Sequence, residues 1–508
     1  MNIGGKGFLP FVIVWTQYNK KFMLTLRLYL LFILFLSFHA LGLSDDTENY
    51  RFWIKDKSGF RENTPFIDDN KSIISENLEI NFDGKKYKIN NNVNEMGMAI
   101  YIALNKQQYA DVTRLLPLYQ NLKQHDILLV KFALAEIARS KRSYSSAIQN
   151  YKEILSINPN FLRVELELAR TYFDDKQNNE SLAQFNKVLD KYAQQLPPNV
   201  MATISQFTSA LESQNDWKGS LSFGYGFNSN LNQVPGDGRQ TCFSNQQTKY
   251  CYGAKKRISD SKLAYDGNLN RTWPLMQNHN IAFKSYTYGY KYQKESDYNE
   301  NITNLKVLYQ YSDAKKSFSL GPVSEFKFVG DKNYYHGIGI SLDTEYLFTS
   351  KFSLNTNLDY QKLTYRSPYQ NNDGNKTNAY ITGIYAIDSD FIIFGGIDSS
   401  LVNKKFESDS YKQYGVRLGL FKDYQREYQL MGMMSFKKTK FNDIAYMLNG
   451  KTRNDNEQLY LIKLSSPKYQ ILTFTPSINY KYRTNTSSAD ALYSYKQNEV
   501  EFKLEKRF

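Results

Sequence analysis

Two hydrophobic periods divide this chain. Between about residues 96 and 198 apolar positions recur at helical spacing, and from Trp217 onward they alternate every second residue. In the stretch from Trp217 to Phe227, the positions Trp217, Gly219, Leu221, Phe223, Tyr225 and Phe227 stand against Lys218, Ser220, Ser222, Gly224 and Gly226. That is a strand with one aromatic face. The pattern recurs: Tyr414, Val416, Leu418 and Leu420 oppose Gln413, Gly415, Arg417 and Gly419, while Phe474, Ile478, Tyr480 and Tyr482 oppose Thr473, Ser477, Asn479 and Lys481. Such segments begin near 217, 262, 280, 302, 317, 335, 352, 379, 391, 411, 426, 457, 470 and 496. Fourteen is an even number, as a single-chain transmembrane barrel requires. Tight turns are expected at 312–316, 349–351, 388–390 and 466–468, and longer polar loops at 228–261, 366–378, 439–456 and 484–495. Short periplasmic turns and long outer loops are the asymmetry such barrels show.

The helical stretch repeats every 34 residues. Leu134 and Leu168, Ala135 and Ala169, Ala147 and Ser181, and Tyr151 and Phe185 all stand one repeat apart, and Pro159 closes the first unit. Period, small residues, aromatic and closing proline resemble the tetratricopeptide repeat. Small residues let paired helices approach, the aromatic fills the space above them, and proline cannot continue the hydrogen-bond ladder. A looser earlier unit begins at Ile100 and includes Tyr109. The predicted fold is therefore an N-terminal α-helical tetratricopeptide-like solenoid (96–198), a connector (199–216) and a C-terminal antiparallel transmembrane β-barrel (217–508).

Ahead of the solenoid lies a polar segment, 43–95, that reads as a poorly ordered arm. Residues 1–42 read as a targeting segment. Arg27 precedes the apolar run from Leu28 to Phe38, and Ala40 and Gly42 supply the small residues of a cleavage site; Met23 is an alternative start. The run is too short to span a bilayer, which takes about 20 helical residues. The cysteine closest to that site is Cys242, so the chain does not read as a lipoprotein itself.

Composition adds little. Tyr (41) and Phe (33) are abundant, as alternating lipid-facing strands require. The net charge of +14 is spread among acids and aromatics, without the clustered basic module of a nucleic-acid partner. No HExxH, GxSxG, phosphate-cradling glycine loop or Cys/His ligand spacing occurs, so neither an enzyme nor a metal or cofactor site is expected. An outer-membrane hydrolase would need a Ser or Thr beside a His, and nothing in the sequence links His279 or His336 to a nucleophile. Asp388 and Asp390 read as local turn residues. Cys242 and Cys251, in the long loop after the first strand, are expected to pair as a disulfide in an oxidising compartment.

The chain reaches Phe508 through an alternation that includes Phe502 and Leu504, which resembles the C-terminal signal read by the barrel assembly machinery. Targeting segment, short solenoid and barrel together resemble the surface lipoprotein assembly modulator (Slam) family. The most specific stretch is Trp217 and Gly219 followed by Asn228, Asn230 and Asn232, an aromatic first strand with an Asn-rich exit. The resemblance implies a non-enzymatic outer-membrane translocator. Its partners would be a surface lipoprotein or secreted protein, the barrel assembly machinery during biogenesis, and periplasmic chaperones. The competing reading is a tetratricopeptide–barrel porin for an exopolysaccharide.

Overall fold

The computed structural model describes residues 79–82, 85–236, 240–244, 249–253, 256–330, 332–444 and 452–508. The expected targeting segment and the polar arm up to residue 78 lie outside them. The end of that arm is ordered: β1 (Glu79–Phe82) and β2 (Lys85–Lys88) pair as a hairpin. Ile80 and Ile89 anchor it by joining the solenoid core with Met96 and Ile100.

Three helix pairs follow: α1 (Val93–Asn105) with α2 (Tyr109–Gln120), α3 (Ile127–Ser140) with α4 (Tyr144–Ile157), and α5 (Leu162–Asp174) with α6 (Asn178–Tyr192). The repeat is visible in the backbone. Gln107, Arg142 and Lys176 take positive φ at the same point of each pair, and the next amide (Gln108, Ser143, Gln177) bonds back to Ala103, Ala138 or Tyr172 at 2.8–2.9 Å. Each pair thus turns on one Schellman-type closure. Asn92 caps α1 by accepting from Glu95 N at 2.9 Å, and the Glu95 carboxylate accepts from Asn92 Nδ2 in return.

The repeat residues pack as their spacing implies. Ala135, Ala147, Tyr151, Leu168, Ala169, Ser181 and Phe185 are all buried, and Ser181 Oγ donates to the Ala169 carbonyl at 2.9 Å. Leu134 departs from its partner Leu168 and is exposed on α3. Pro159 follows the Asn158 C-cap and stops the chain from extending α4. The segment 199–216, expected as a connector, is instead the helix α7 (Pro198–Gln214). Pro198 occupies its first turn, where a missing N–H costs nothing, so the proline pair starts a helix as well as ending one. Ile204 and Leu211 of α7 pack with Phe185 and Val188.

Fourteen strands then close one antiparallel barrel, each pairing with its sequence neighbour: β3 (Lys218–Asn228), β6 (Asp260–Met276), β7 (His279–Tyr292), β8 (Glu300–Ser312), β9 (Lys316–Val329), β10 (Lys332–Leu347), β11 (Phe352–Tyr365), β12 (Gly374–Ala386), β13 (Phe391–Lys404), β14 (Tyr411–Tyr424), β15 (Tyr428–Ile444), β16 (Thr452–Ser465), β17 (Thr475–Ser487) and β18 (Tyr495–Arg507). The remaining strands, β4 (Gln240–Ser244) and β5 (Lys249–Gly253), form a hairpin within the long loop after β3.

The barrel is inverted in polarity. On β14, Leu418 is 60% exposed while its neighbour Arg417 is 3% exposed. Only a lipid surround makes the first arrangement favourable, and a closed ring satisfies every strand's backbone without an edge. No helix among the described residues is long and apolar enough to cross a membrane. One expected turn is wrong: β17 begins at Thr475, so 466–474 is a nine-residue loop. Leu472 and Thr473 take positive φ between the bridged Ile471 and Phe474, which folds the apparent strand start back on itself.

Candidate functional site: the charged lumen and the closing seam

The barrel closes where β18 meets β3, a ladder of nine Cα pairs from Glu499↔Asn228 to Arg507↔Ser220. The sequence motifs converge on it. Gly219 N donates to Phe508 O at 2.8 Å and Phe508 N to Gly219 O at 3.1 Å, so the first-strand glycine and the C-terminal aromatic clasp one end. A Cβ at Gly219 would lie 2.4 Å from the Asn268 carbonyl of β6 and 3.0 Å from the Phe508 ring, which is why this position is small. Trp217, just before β3, stacks edge-on with Trp273 at 5.8 Å. Phe502 pairs with Tyr225, and Leu504 with Phe223, on the apolar outer face.

The Asn-rich exit clasps the other end. Asn228 Nδ2 donates to Tyr292 Oη at 3.1 Å, and Gln497 Nε2 donates to Asn228 Oδ1 at 3.1 Å. Asn230 Nδ2 donates to Lys496 O at 3.0 Å, while Asn232 fastens the long loop through Lys256 O at 2.7 Å and Ile258 N at 3.0 Å. In the β4–β5 hairpin, Cys242 is the register partner of Cys251 and carries no free thiol.

Between the two clasps the seam is bridged by side chains inside the barrel. Inward positions of β3 between the clasps are Ser220, Ser222, Gly224 and Gly226, so that small side chains or none line this strip. Lys262 of β6 reaches across it to Glu499 and, at 2.9 Å, to Glu501 of β18. Lys503 of β18 returns to Asp266 of β6 at 2.8 Å, and Ser222 Oγ donates to the same carboxylate at 2.9 Å. Lys481 holds Glu499 at 2.8 Å, and Lys463 holds Glu505 at 2.9 Å. A Cβ at Gly224 would meet Phe502 O at 2.1 Å and Lys503 Cγ at 2.6 Å. Farther round, Lys306 bridges Asp359 at 3.0 Å, Lys327 meets Glu300 at 3.1 Å, and Arg417 meets Asp398. Much of the lumen wall is thus built from mutually paired charges, beside an apolar cluster of Phe394, Met431, Met433, Leu459 and Leu461 on β13, β15 and β16. This network was missed in the sequence, although Glu499, Glu501, Lys503 and Glu505 alternate on one face of β18.

The solenoid docks on the short-turn end of the barrel through α6 and the residues before it. Asn278 Nδ2 donates to Asp175 O at 2.6 Å, Gln277 N to Glu180 Oε1 at 2.7 Å, and Lys176 Nζ to Ser312 Oγ at 3.3 Å. Asn179 Nδ2 reaches the carbonyls of Pro274 and Leu275, each at 3.3 Å. No pattern in the sequence marks these residues.

A polar network joins the helix pairs. Tyr151 Oη donates to Glu136 Oε1 at 2.7 Å, and Arg139 bonds Glu167 at 2.7 Å and Asp174 at 3.0 Å. Burial, with the Glu167 charge beside it, pushes the Glu136 carboxyl above its usual range. Burial and Glu136 push the Tyr109 phenol up to about 12.

The remaining candidates resolve simply. Asp390 N donates to Asp388 Oδ1 at 3.1 Å, a turn contact. His336 does have a hydroxyl neighbour, Ser324 Oγ at 2.9 Å from Nε2, because the register of β9 and β10 puts Ser324 diagonally across from it, two residues from its direct partner Phe326. The ring lies stacked on Phe326 at 4.4 Å, and no carboxylate among the described residues orients it. Among the described residues no group of three or more His, Cys, Asp or Glu could hold a metal ion.

A closed fourteen-stranded ring with an outward apolar face and a helical-repeat domain on its turns defines an outer-membrane β-barrel protein. Residues 217–508 match the family described as surface lipoprotein assembly modifier, and residues 83–185 match its N-terminal TPR repeats. The chain belongs to the surface lipoprotein assembly modifier family. It is 27% identical over 445 residues to the hemophilin secretion modulator of Acinetobacter baumannii, covering 85% of this chain and 89% of that one. It is 26% identical over 407 residues to the surface lipoprotein assembly modifier of Moraxella catarrhalis, covering 79% and 78%. To surface lipoprotein assembly modifier 1 of Neisseria meningitidis serogroup B it is 22% identical over 423 residues, covering 81% and 83%.

Proposed function

We propose that this protein carries a lipoprotein or related secreted protein across the outer membrane to the cell surface, without catalysis. The observation that carries the reading is the docking of a repeat domain on the short-turn end of a closed barrel within one chain. A solenoid there, on the periplasmic side, is positioned to receive cargo, or cargo held by a chaperone, and present it to the barrel. The names of the relatives, a secretion modulator and assembly modifiers of surface lipoproteins, support the same reading. In this reading Phe502, Leu504 and Phe508 recruit the barrel assembly machinery, and a Cys242–Cys251 bridge staples the hairpin of the outer loop. Free thiols on both cysteines of protein purified from outer membranes would refute the bridge.

The test compares cells expressing the cognate lipoprotein with the full-length chain, with a chain lacking residues 79–214, or with neither. Ending the deletion after α7 avoids exposing Ile204 and Leu211, which pack on α6. The shortened barrel should still fold, because its ring satisfies its own backbone. Surface antibody signal should require the full-length chain while total lipoprotein stays constant. Equal surface display without the protein would end the translocator reading.

A further inference from the structure

A ring of fourteen strands is wide. With ~4.8 Å between strands and ~40° of tilt it measures about 28 Å across between backbones, whereas the side chains of two facing sheets fill only ~10 Å. Wall side chains alone do not fill such an interior. Yet the inward charges are withdrawn from solvent: Lys262 and Lys327 are each 1% exposed. A lysine on the wall of a water-filled channel would keep its ammonium wet. Inward polar atoms tell the same way. Asn304 Oδ1 on β8, Gln361 Oε1 on β11, Ser435 Oγ on β15, Asn479 Nδ2 on β17 and Gln497 Oε1 on β18 are buried without a hydrogen bond. Native proteins rarely leave such atoms unsatisfied. Among the described residues, the solenoid meets the barrel at the turn after β6 and the end of β8, while the β4–β5 hairpin lies beside the short helix Asp490–Tyr493. Both stand at the rims.

We propose that residues 45–78 of this same chain enter the lumen from the solenoid side and plug it, pairing with these inward polar atoms. The occupant must supply donors to Asn304, Gln361 and Gln497 and an acceptor to Asn479, which a polypeptide does and an alkyl chain does not. Both signs of charge line the wall, in pairs such as Lys306 with Asp359, and the segment carries both, with eight acids and five bases. Its end is held at the right place. The chain continues from residue 78 into the β1–β2 hairpin, which Ile80 and Ile89 fix to the solenoid. Thirty-four residues reach at most about 110 Å when extended, several times the height of a strand of fourteen residues tilted by ~40°. A short tether also keeps the segment near its site at an effective concentration on the order of millimolar. On the translocator function proposed above, incoming cargo displaces the plug, so the membrane is not left permeable between export events.

Planar bilayers test this with the full chain and with a chain lacking residues 45–78, heat-modifiability on gels reporting that each barrel is folded. The full chain should be nearly silent, and the shortened chain should conduct in steps with at least about tenfold more open time. A synthetic peptide of residues 45–78, added at millimolar concentration on the solenoid side, should close it again. A folded shortened barrel that stays silent would show that the wall seals itself, and equal conductance of both chains would show an open lumen; either overturns the plug. If the deletion does not fold, a photo-crosslinking benzoylphenylalanine placed at Gln361 of the full chain decides. It should capture a peptide from residues 45–78, whereas capture of cargo alone, or of nothing, overturns the proposal. Neither measurement depends on export, so loss of the plug leaves the translocator reading standing, and failure of the surface-display test leaves the plug.

Discussion

Lys262 sits between two carboxylates from a strand that is not its hydrogen-bonding neighbour, and the empty inward positions of β3 let it get there. Removing one member of a buried ion cluster leaves charge unpaired, at roughly 3–5 kcal/mol for an isolated pair. Lys481 and Lys503 would each keep one of the two glutamates company, so Lys262→Ala should fall toward the lower end of that range. The expected readout is a lower temperature for loss of the heat-modifiable band; an unchanged transition would show that the bridge contributes nothing. Glu136 makes the opposite kind of statement, because burial raises its folded pKa. The folded solenoid therefore takes up a proton before the unfolded chain does. Stability should rise as pH falls through the folded pKa, and level off below the ordinary value of 4.5. Asp174 and Asp175, also raised by burial, act in the same direction. Glu136→Gln removes one buried charge while leaving an acceptor for Tyr151. It should raise the melting temperature of the helical signal at neutral pH and shrink the gain on acidification; an undiminished gain would assign the effect elsewhere.

At the scale of elements, Phe508 completes the closing ladder with two backbone bonds to Gly219. Deleting it should lower the folded, heat-modifiable fraction of the barrel, while unchanged yield would count against both the clasp and the assembly-signal reading. The strands were readable because most carry their own alternation, inward polar and outward apolar, although Phe394, Met431, Met433, Leu459 and Leu461 of β13, β15 and β16 turn inward as well. The start of β17 was not, because Leu472 and Phe474 keep the alternation across a turn whose positive φ angles leave no trace in residue type. The helix α7 was hidden by Pro197 and Pro198, which are equally compatible with stopping a helix and with starting one. The seam motifs were visible as residues, but their reason was not. Gly219 bonds Phe508 through its backbone, and Asn230 bonds Lys496, pairs that only closure of the ring brings together.

For the whole molecule, the docked solenoid and the long β3–β6 loop lie at opposite ends of the barrel. Protease added to intact cells should cut only within the outer loops, such as 229–259, and should reach residues 93–214 only after the outer membrane is breached. Cleavage within the helices of intact cells would overturn the proposed orientation. The closing ladder carries a consequence for biogenesis. Gly219 and Phe508 are 289 positions apart in the chain, yet they must meet for the ring to be complete. Every other strand contact can form as its hairpin emerges, but this one waits for all that lies between. Until then β3 and β18 are two raw edges, each able to recruit a stranger's strand. A ribosome that stops anywhere short of β18 therefore releases a sheet that cannot seal, and such a product has no stable place in a bilayer. Contacts between distant segments are also slow to find. The unsealed barrel must consequently be kept from aggregating for as long as its two edges remain apart.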